Sequence, residues 1–524
     1  MPWTVNRLDL PPNSPFSSYP ILSGSTLSFD GVNPQLNGAG EIINPITLGS
    51  DGLKVTASAH NRIAFANQIS GSGPLIIDSG TVRFLGAAAN SYAGLVVNAG
   101  GIAFIEKESD LGKASAAGAD ITLNGGEIQF SSVPALSATR RISLIGTGAS
   151  PNVITAYNNP PTPFLGEITG PGALTVFGDL QLANANSYAG GTIVGSSTLP
   201  GLLGITRPEA LGTGNSILVN KQGVLAPSYP VDQALIQRID PTSSGTIALG
   251  ADSASELDFQ AAGLASARLG AINGNFTYSG QLTPAGTVYN FGASSGELHV
   301  ATTLSGARSV QISQIAGPTG TVVFESANSY SGGTAIDTNM TLLTGTSGST
   351  GSGRVIVHEF GHFGGSGMAL GGVTLEHRGR LEPGLNGIGG LTTGDVTSSG
   401  GEIVFTLAGE VAGTGYDQLR VLGQVSLGDS ILTLTLAYQP AIGTKFIVID
   451  NDQNDPILGR FSGLQEGAVF NLTNGKGGPA SSFQISYVGG TGNDVEITTV
   501  PEPCIGSYLI MAGAFLAFSK RRGG

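Results

Sequence analysis

One pattern, repeated three times, limits what this chain can fold into: a glycine-rich turn, an apolar strand, and then Asn-Ser-Tyr followed by small residues. It reads ISGSGPLII at 69–77 with ANSYAG at 89–94, ITGPGALTV at 168–176 with ANSYAGGT at 185–192, and IAGPTGTVV at 315–323 with ANSYSGGT at 327–334. Shorter matches lie between these. VVNAGGIAF at 96–104 falls on TLNGGEIQF at 122–130, so Asn98 meets Asn124, Ile102 meets Ile128 and Phe104 meets Phe130. VIVHEFGHF at 355–363 falls on VTLEHRGRL at 373–381, so Val355 meets Val373 and Phe363 meets Leu381. Periods near 20 residues with alternating apolar positions and fixed glycines are a solenoid signature. One coil cannot bury its inward face alone, whereas stacked coils bury a continuous core. We expect Asn90, Asn186 and Asn328 to sit in turns with their side chains bonded to nearby backbone. Tyr92, Tyr188 and Tyr330 should close their coils by packing.

Composition agrees. Glycine supplies 82 of 524 residues, about twice its ordinary share, and charged residues are only 11%. Hydrophobic residues reach 40%, which excludes a disordered chain of low hydrophobicity and high charge. Net charge is −13, and no basic stripe is visible, so nucleic acid is not an expected partner. Cys504 is the single cysteine, so no intramolecular disulfide can form. Helical periodicity is absent from the body. A helical turn or two is expected within 108–118 and 255–268.

The three repeats resemble autotransporter-associated β-strand repeat proteins. Gly71-Ser72-Gly73, Gly170-Pro171-Gly172, Asn186-Ser187-Tyr188 and Asn328 to Thr334 carry the resemblance. It covers roughly 20–395, is poor over 228–300, and includes GGSGMALGGVTLEHRGRLEPG at 364–384, which looks like closing coils. The resemblance implies a right-handed parallel β-helix at the cell surface. Residues 396–499 differ: LTLTL at 432–436 alternates strictly, and the segment from YDQLRV through FIVIDND to SYVGGTGNDVEIT resembles a terminal β-domain. Such a cap is physically needed, because an open solenoid end exposes strand edges.

The last 25 residues have three parts: Val500-Pro501-Glu502-Pro503, an uncharged apolar run from Ile505 to Phe518, and a basic cluster of Lys520, Arg521 and Arg522. This order resembles the PEP-CTERM sorting signal. The resemblance implies recognition by an exosortase-type enzyme and membrane contact through a short C-terminal helix. Fourteen helical residues span about 21 Å, short for a ~30 Å hydrocarbon core, so the flanking basic residues would have to snorkel. Basic residues favour the cytoplasmic side, placing the bulk of the chain outside. The opening MPWTVNRLDLPPNSPFSSYP lacks a charged start followed by an apolar run, so no signal peptide is read there. Export then requires a start further upstream.

Three chemical lures stand out. His358-Glu359-Phe360-Gly361-His362 matches the zinc-protease pattern H-E-x-x-H, which needs a helix to put both histidines on one face. The preceding Val355-Ile356-Val357 favours a strand instead. The repeat sets His358-Glu359 over Glu376-His377, so a cross-coil metal set of His358, Glu359, Glu376 and His377 is the other reading. Two acidic loops invite calcium. DNDQND at 450–455 lacks the EF-hand glycine and has Phe461 in place of the bidentate glutamate. GGTGND at 489–494 is one copy of a calcium nonapeptide, with Glu496 where an apolar residue belongs. Turn chemistry accounts for both, and no cofactor or catalytic residue is assigned. Glu106, Lys107, Glu108, Asp110 and Lys113 form a dense charge cluster that reads as a solvated loop.

The expected organisation is an irregular segment at 1–19, a β-solenoid at 20–395, a C-terminal β domain at 396–499 and the sorting or anchor segment at 500–524. The expected function is that of an exported surface or matrix protein, structural or adhesive, meeting extracellular polysaccharide or other surface proteins. The alternative is a carbohydrate-active β-helix enzyme, lyase or hydrolase. A secreted zinc metalloprotease is a third reading.

Overall fold

The computed structural model describes residues 3–11, 21–58, 62–86, 88–114, 120–131, 135–157, 162–214, 216–292, 295–313, 319–385, 387–452, 455–473 and 480–502. The fold is all-β and a parallel β-solenoid, with about 17 turns counted over two compact units. The first unit comprises 1–302 with 311–322, and the second 303–310 with 323–524.

In the first unit, period-2 strands stack in parallel, in register, coil upon coil. One ladder runs through Arg7–Asp9, Gln35–Gly38, Leu53–Ala57, Leu75–Phe84, Leu95–Asn98, Ile121–Asn124, Arg141–Leu144 and Glu167–Thr169. A second continues from Glu127–Phe130 through Asn152–Ala156, Leu174–Leu182, Gly201–Ile205, Gly223–Pro227, Thr246–Leu249 and Arg268–Ala271. Inward positions are fully buried, as in Leu75, Leu95, Ile121 and Ile142. The stacking continues through 228–300, where the repeat resemblance is poor. Inward Ile247, Leu269 and Phe291 keep the core there without the Asn-Ser-Tyr signature.

The 26-residue match holds only for its first half. Asn98 pairs with Asn124, but Ile102 pairs with Glu127 and Phe104 with Gln129. The turn after Asn124 is one residue shorter than the turn after Asn98, and a one-residue slip reverses every facing. Phe104 therefore points outward under the Arg83 guanidinium, 4.5 Å from its ring centre, while Phe130 is buried. Helix is scarce. Glu108–Leu111 and Pro208–Leu211 are 3-10 turns and Gln233–Ile236 is one α-helical turn. Residues 255–268 contain no helix; a short strand at Leu257–Asp258 and turns occupy them.

In the second unit the strands fall into three lines, and most coils contribute one strand to each. One line runs Thr334–Ile336, Val355–Val357, Val373–Leu375, Val396–Ser398 and Val425–Ser426. Another runs Met340–Thr344, His362–Gly365, Arg380–Pro383, Glu402–Leu407 and Ile431–Leu436. The third runs Met368–Ala369, Gly390–Thr393, Gln418–Val421 and Lys445–Asn451. The 18-residue match is the observed register: Val355 on Val373, Val357 on Leu375, Phe363 on Leu381. Parallel pairing thus continues well past residue 395. It ends where Lys445–Asn451 pairs antiparallel with Asp494–Val500, followed by Ala480–Gly489 and Val469–Thr473.

Candidate functional site

The three Asn-Ser-Tyr segments occupy the same environment, and it is not a local turn. Asn90 Oδ1 accepts from the Ile69 amide at 2.8 Å on one neighbouring coil, and its Nδ2 donates to the Asp110 carbonyl at 3.1 Å on the other. Asn186 bridges the Ile168 amide (2.7 Å) and the Ala210 carbonyl (2.6 Å) in the same way. Asn328 bridges the Leu304 amide and the Ser349 carbonyl, both at 2.7 Å. The third partner is therefore Leu304, of LSGARSVQI at 304–312, and not the later IAGPTGTVV that the sequence singles out. Each asparagine ties three consecutive coils together.

The tyrosines are wholly buried beside these clamps. Tyr92 donates to the Asp110 carbonyl at 2.8 Å; Tyr188 and Tyr330 share hydrogen bonds with Thr192 (2.7 Å) and Thr334 (2.5 Å). Burial pushes the Tyr188 hydroxyl up to about 12. Each ring packs on a glycine of the next coil, Gly112, Gly212 or Gly351. Sequence reasoning missed two arginines that do related work. Arg140, from a later coil, donates to the Glu108 and Gly112 carbonyls, and Arg238 donates to those of Leu211, Gly212 and Gly214. They satisfy carbonyls within and just beyond the two 3-10 turns. Lone arginines far along the sequence carry no periodic signal.

The zinc-protease letters lie on a solenoid corner. Asn339, Phe360 and Arg378 occupy equivalent corners with φ of +61°, +59° and +60°. Each corner closes with an amide three residues on, as in Gly361 to His358 (2.8 Å) and Gly379 to Glu376 (2.9 Å). His358 is in this turn and His362 begins the next strand, so the two do not share a helical face. They face different carboxylates: His358 Nδ1 lies 3.0 Å from Glu376, and His362 Nε2 lies 3.2 Å from Glu382. Glu359 goes to Arg378 at 3.6 Å. The cross-coil set of His358, Glu359, Glu376 and His377 is not assembled; among the described residues no group of three or more such side chains is placed to hold a metal.

One polar cluster of the second unit joins His362, Arg380, Glu382, Glu402 and Thr433. Arg380 lies 3.1 Å from Glu382, and Thr433 donates to Glu402 at 2.5 Å. Burial pushes the Glu382 carboxyl up, but His362 beside it and the charge of Arg380 outweigh it and hold it below its ordinary value. Nearby Asp417 accepts from the Gly389 amide (2.9 Å) and the Thr406 amide (2.7 Å), and burial pushes it up to about 6. In the first unit, Asp110 of the charge cluster is buried and accepts from the Glu106 and Lys107 amides, both at 3.1 Å.

Compared with known protein families and with curated proteins, the chain matches none. The two acidic loops meet: Asp494 Oδ1 accepts from the Asn451 amide at 2.8 Å, and its Oδ2 accepts from the Thr491 amide at 2.8 Å. Asp455 contributes its carbonyl to Asn451 Nδ2 at 3.0 Å. Val500, opposite Ser482, is the last residue of the strand Asp494–Val500, and Pro501 and Glu502 beyond it are exposed. Pro503, Ile505 to Phe518, Lys520, Arg521 and Arg522 lie outside the described residues. Among the described residues no helix is long and apolar enough to cross a membrane.

Proposed function

We propose that this chain is an exported, non-enzymatic surface or matrix protein with a structural or adhesive role, sorted through its C-terminal segment. The observation that carries this reading is a body of stacked coils that passes, through antiparallel strands, into an exposed Pro501-Glu502. A sorting enzyme needs an accessible, extended backbone at its motif. Pro501 ends strand pairing because it has no amide to donate, and the strand before it holds the motif at a fixed point. In this reading Val500, Pro501, Glu502 and Pro503 are recognised, Ile505 to Phe518 meets the membrane, and Lys520, Arg521 and Arg522 anchor it. The coils wind right-handed, and the antiparallel strands within 445–500 cap them. An exosortase-type enzyme is the partner.

A polysaccharide lyase or hydrolase is the alternative. Against it, the two carboxylates of the Glu382 and Glu402 cluster lie against Arg380, and Glu402 also accepts from Thr433. Expression in the native host, fractionation and C-terminal mass spectrometry test the proposal. Surface or medium recovery with the C-terminus trimmed near Pro501–Pro503 is expected. Intact protein found only in the cytosol would sink it.

A further inference from the structure

In the first unit the loop at 146–150 separates two clefts. One, of about 580 Å³, is lined by Asp78, Asn98, Asn124 and the loop. The other, of about 320 Å³, is lined by the same loop with Pro171, Ala173, Thr175 and Ile193. The dividing wall is fixed from beneath. Asn152, 1% exposed, accepts from the Gly125 amide (2.8 Å) and donates to the Gly146 (2.8 Å) and Ala173 (3.0 Å) carbonyls. A pre-formed cleft spares a ligand the ordering cost of shaping its own site.

The chemistry of the linings is specific. Thr175 is 5% exposed, and its hydroxyl has no hydrogen-bond partner among the described residues. A buried hydroxyl without a partner is costly and uncommon, so one lining a cleft marks where a ligand atom belongs. Across the loop, Asn124 Nδ2 donates to Asn98 at 3.1 Å, and Asn98 Nδ2 donates to Asp78 at 3.2 Å. That ladder uses one of the two N–H groups on each amide. The rest of the hydrogen-bonding capacity is repeated from coil to coil at the ~4.8 Å pitch of stacked strands. Neither cleft is lined by a lysine or arginine, and Lys54 is already paired with Asp78 at 3.0 Å. This disfavours an anionic polymer. The strands Leu95–Asn98, Ile121–Asn124 and Leu174–Leu182 are paired on both sides, so no free edge is offered to a peptide.

We propose that the two clefts form one binding site for an uncharged, hydroxyl-rich polysaccharide, with Asp78, Asn98, Asn124 and Thr175 as polar contacts. Pro171, Ala173 and Ile193 offer C–H surface to a sugar ring, and the Thr175 hydroxyl meets one of its oxygens. The inference rests on the surface-protein reading for its setting, and the site's chemistry stands apart from how the chain is sorted.

Native electrophoresis of the full chain in gels cast with hydroxyethylcellulose, galactomannan or soluble starch tests it, with titration calorimetry on the matching oligosaccharide. Retardation in at least one gel is expected. Thr175→Val keeps the shape and removes the hydroxyl. It should weaken binding about five- to tenfold, the worth of one hydrogen bond, while leaving the melting temperature unchanged or raised. The pair Asn98→Ala with Asn124→Ala should abolish retardation with the strand circular dichroism intact. No retardation in any gel, or Thr175→Val binding like the parent, would overturn the proposal. Cytosolic recovery in the fractionation experiment would leave the gel result standing, and a failed gel would leave the sorting reading standing.

Discussion

Replacing Asn186 by alanine tests the architecture most directly. The side chain is 7% exposed and holds two backbone groups, the Ile168 amide and the Ala210 carbonyl, on opposite neighbouring coils. Alanine leaves both buried and unpaired. Each orphaned group costs about 1–3 kcal/mol, so the expected loss is about 2–6 kcal/mol. In a solenoid, stability is a sum of repeat and neighbour terms, so the loss should be local. Global melting averages such a local loss over the whole stack. Hydrogen exchange by mass spectrometry reads it instead. An opening made easier by 2 kcal/mol speeds exchange about thirtyfold, and the Ile168 and Ser187 amides should show it. Asn186→Asp keeps the acceptor for Ile168 but turns an oxygen toward the Ala210 carbonyl, so it should be at least as damaging. Exchange at Ile168 within about threefold of the parent would show that the clamp does not hold the coils.

Three further outcomes follow from the same geometry. In Gly351→Ala the new Cβ would lie 1.9 Å from the Tyr330 carbonyl oxygen; calorimetry should show a loss of about 1–3 kcal/mol or more, against little change for Gly387→Ala, where nothing lies within 4 Å. His358→Ala removes an exposed contact with Glu376 worth about 0–1 kcal/mol and should leave the urea midpoint nearly unchanged. Elemental analysis should find no stoichiometric zinc; one zinc per chain that disappears in this variant would restore the metalloprotease reading. Burial raises Asp417 from 3.8 to about 6, so the folded chain keeps a proton that the unfolded chain releases in between. This group's contribution therefore favours the fold most on the acid side and falls as pH rises from about 4 to 6. Urea midpoints of the parent and Asp417→Asn across that range should diverge in slope, and parallel curves would refute the assignment.

Much of the fold was legible because period-2 burial and coil period are written locally. Val355 and Val373 share a line of identical chemistry, and that register was readable to the residue. The slip at Phe104 was not, because it depends on a turn one residue shorter, and the aromatic letters match in either register. The region at 228–300 looked foreign because its coils lack Asn-Ser-Tyr, yet Ile247 and Leu269 supply the same inward contacts. His358 to His362 misled in the opposite direction. The letters fit a zinc helix, while backbone position decides the chemistry, and Phe360 at φ +59° fixes a corner. The asparagines were recognised as special and assigned to their own turns. Their partners lie some 20 residues away on either side, a distance that no local signal encodes.

The choice of asparagine follows from what each clamp must do. One short planar group must accept from an amide on one coil and donate to a carbonyl on the other. Aspartate cannot donate when ionised, and serine has a single proton on a shorter arm. Glutamine adds a methylene to a site already packed against a buried tyrosine. A chain with a single cysteine has no intramolecular disulfide with which to pin coils against sliding. Sliding by one residue would turn inward leucines to solvent. A neutral amide that bonds above and below resists that slip without burying a charge, which would cost far more than it returned. At Asn90, Asn186 and Asn328 the same bond above and below works against such a slip.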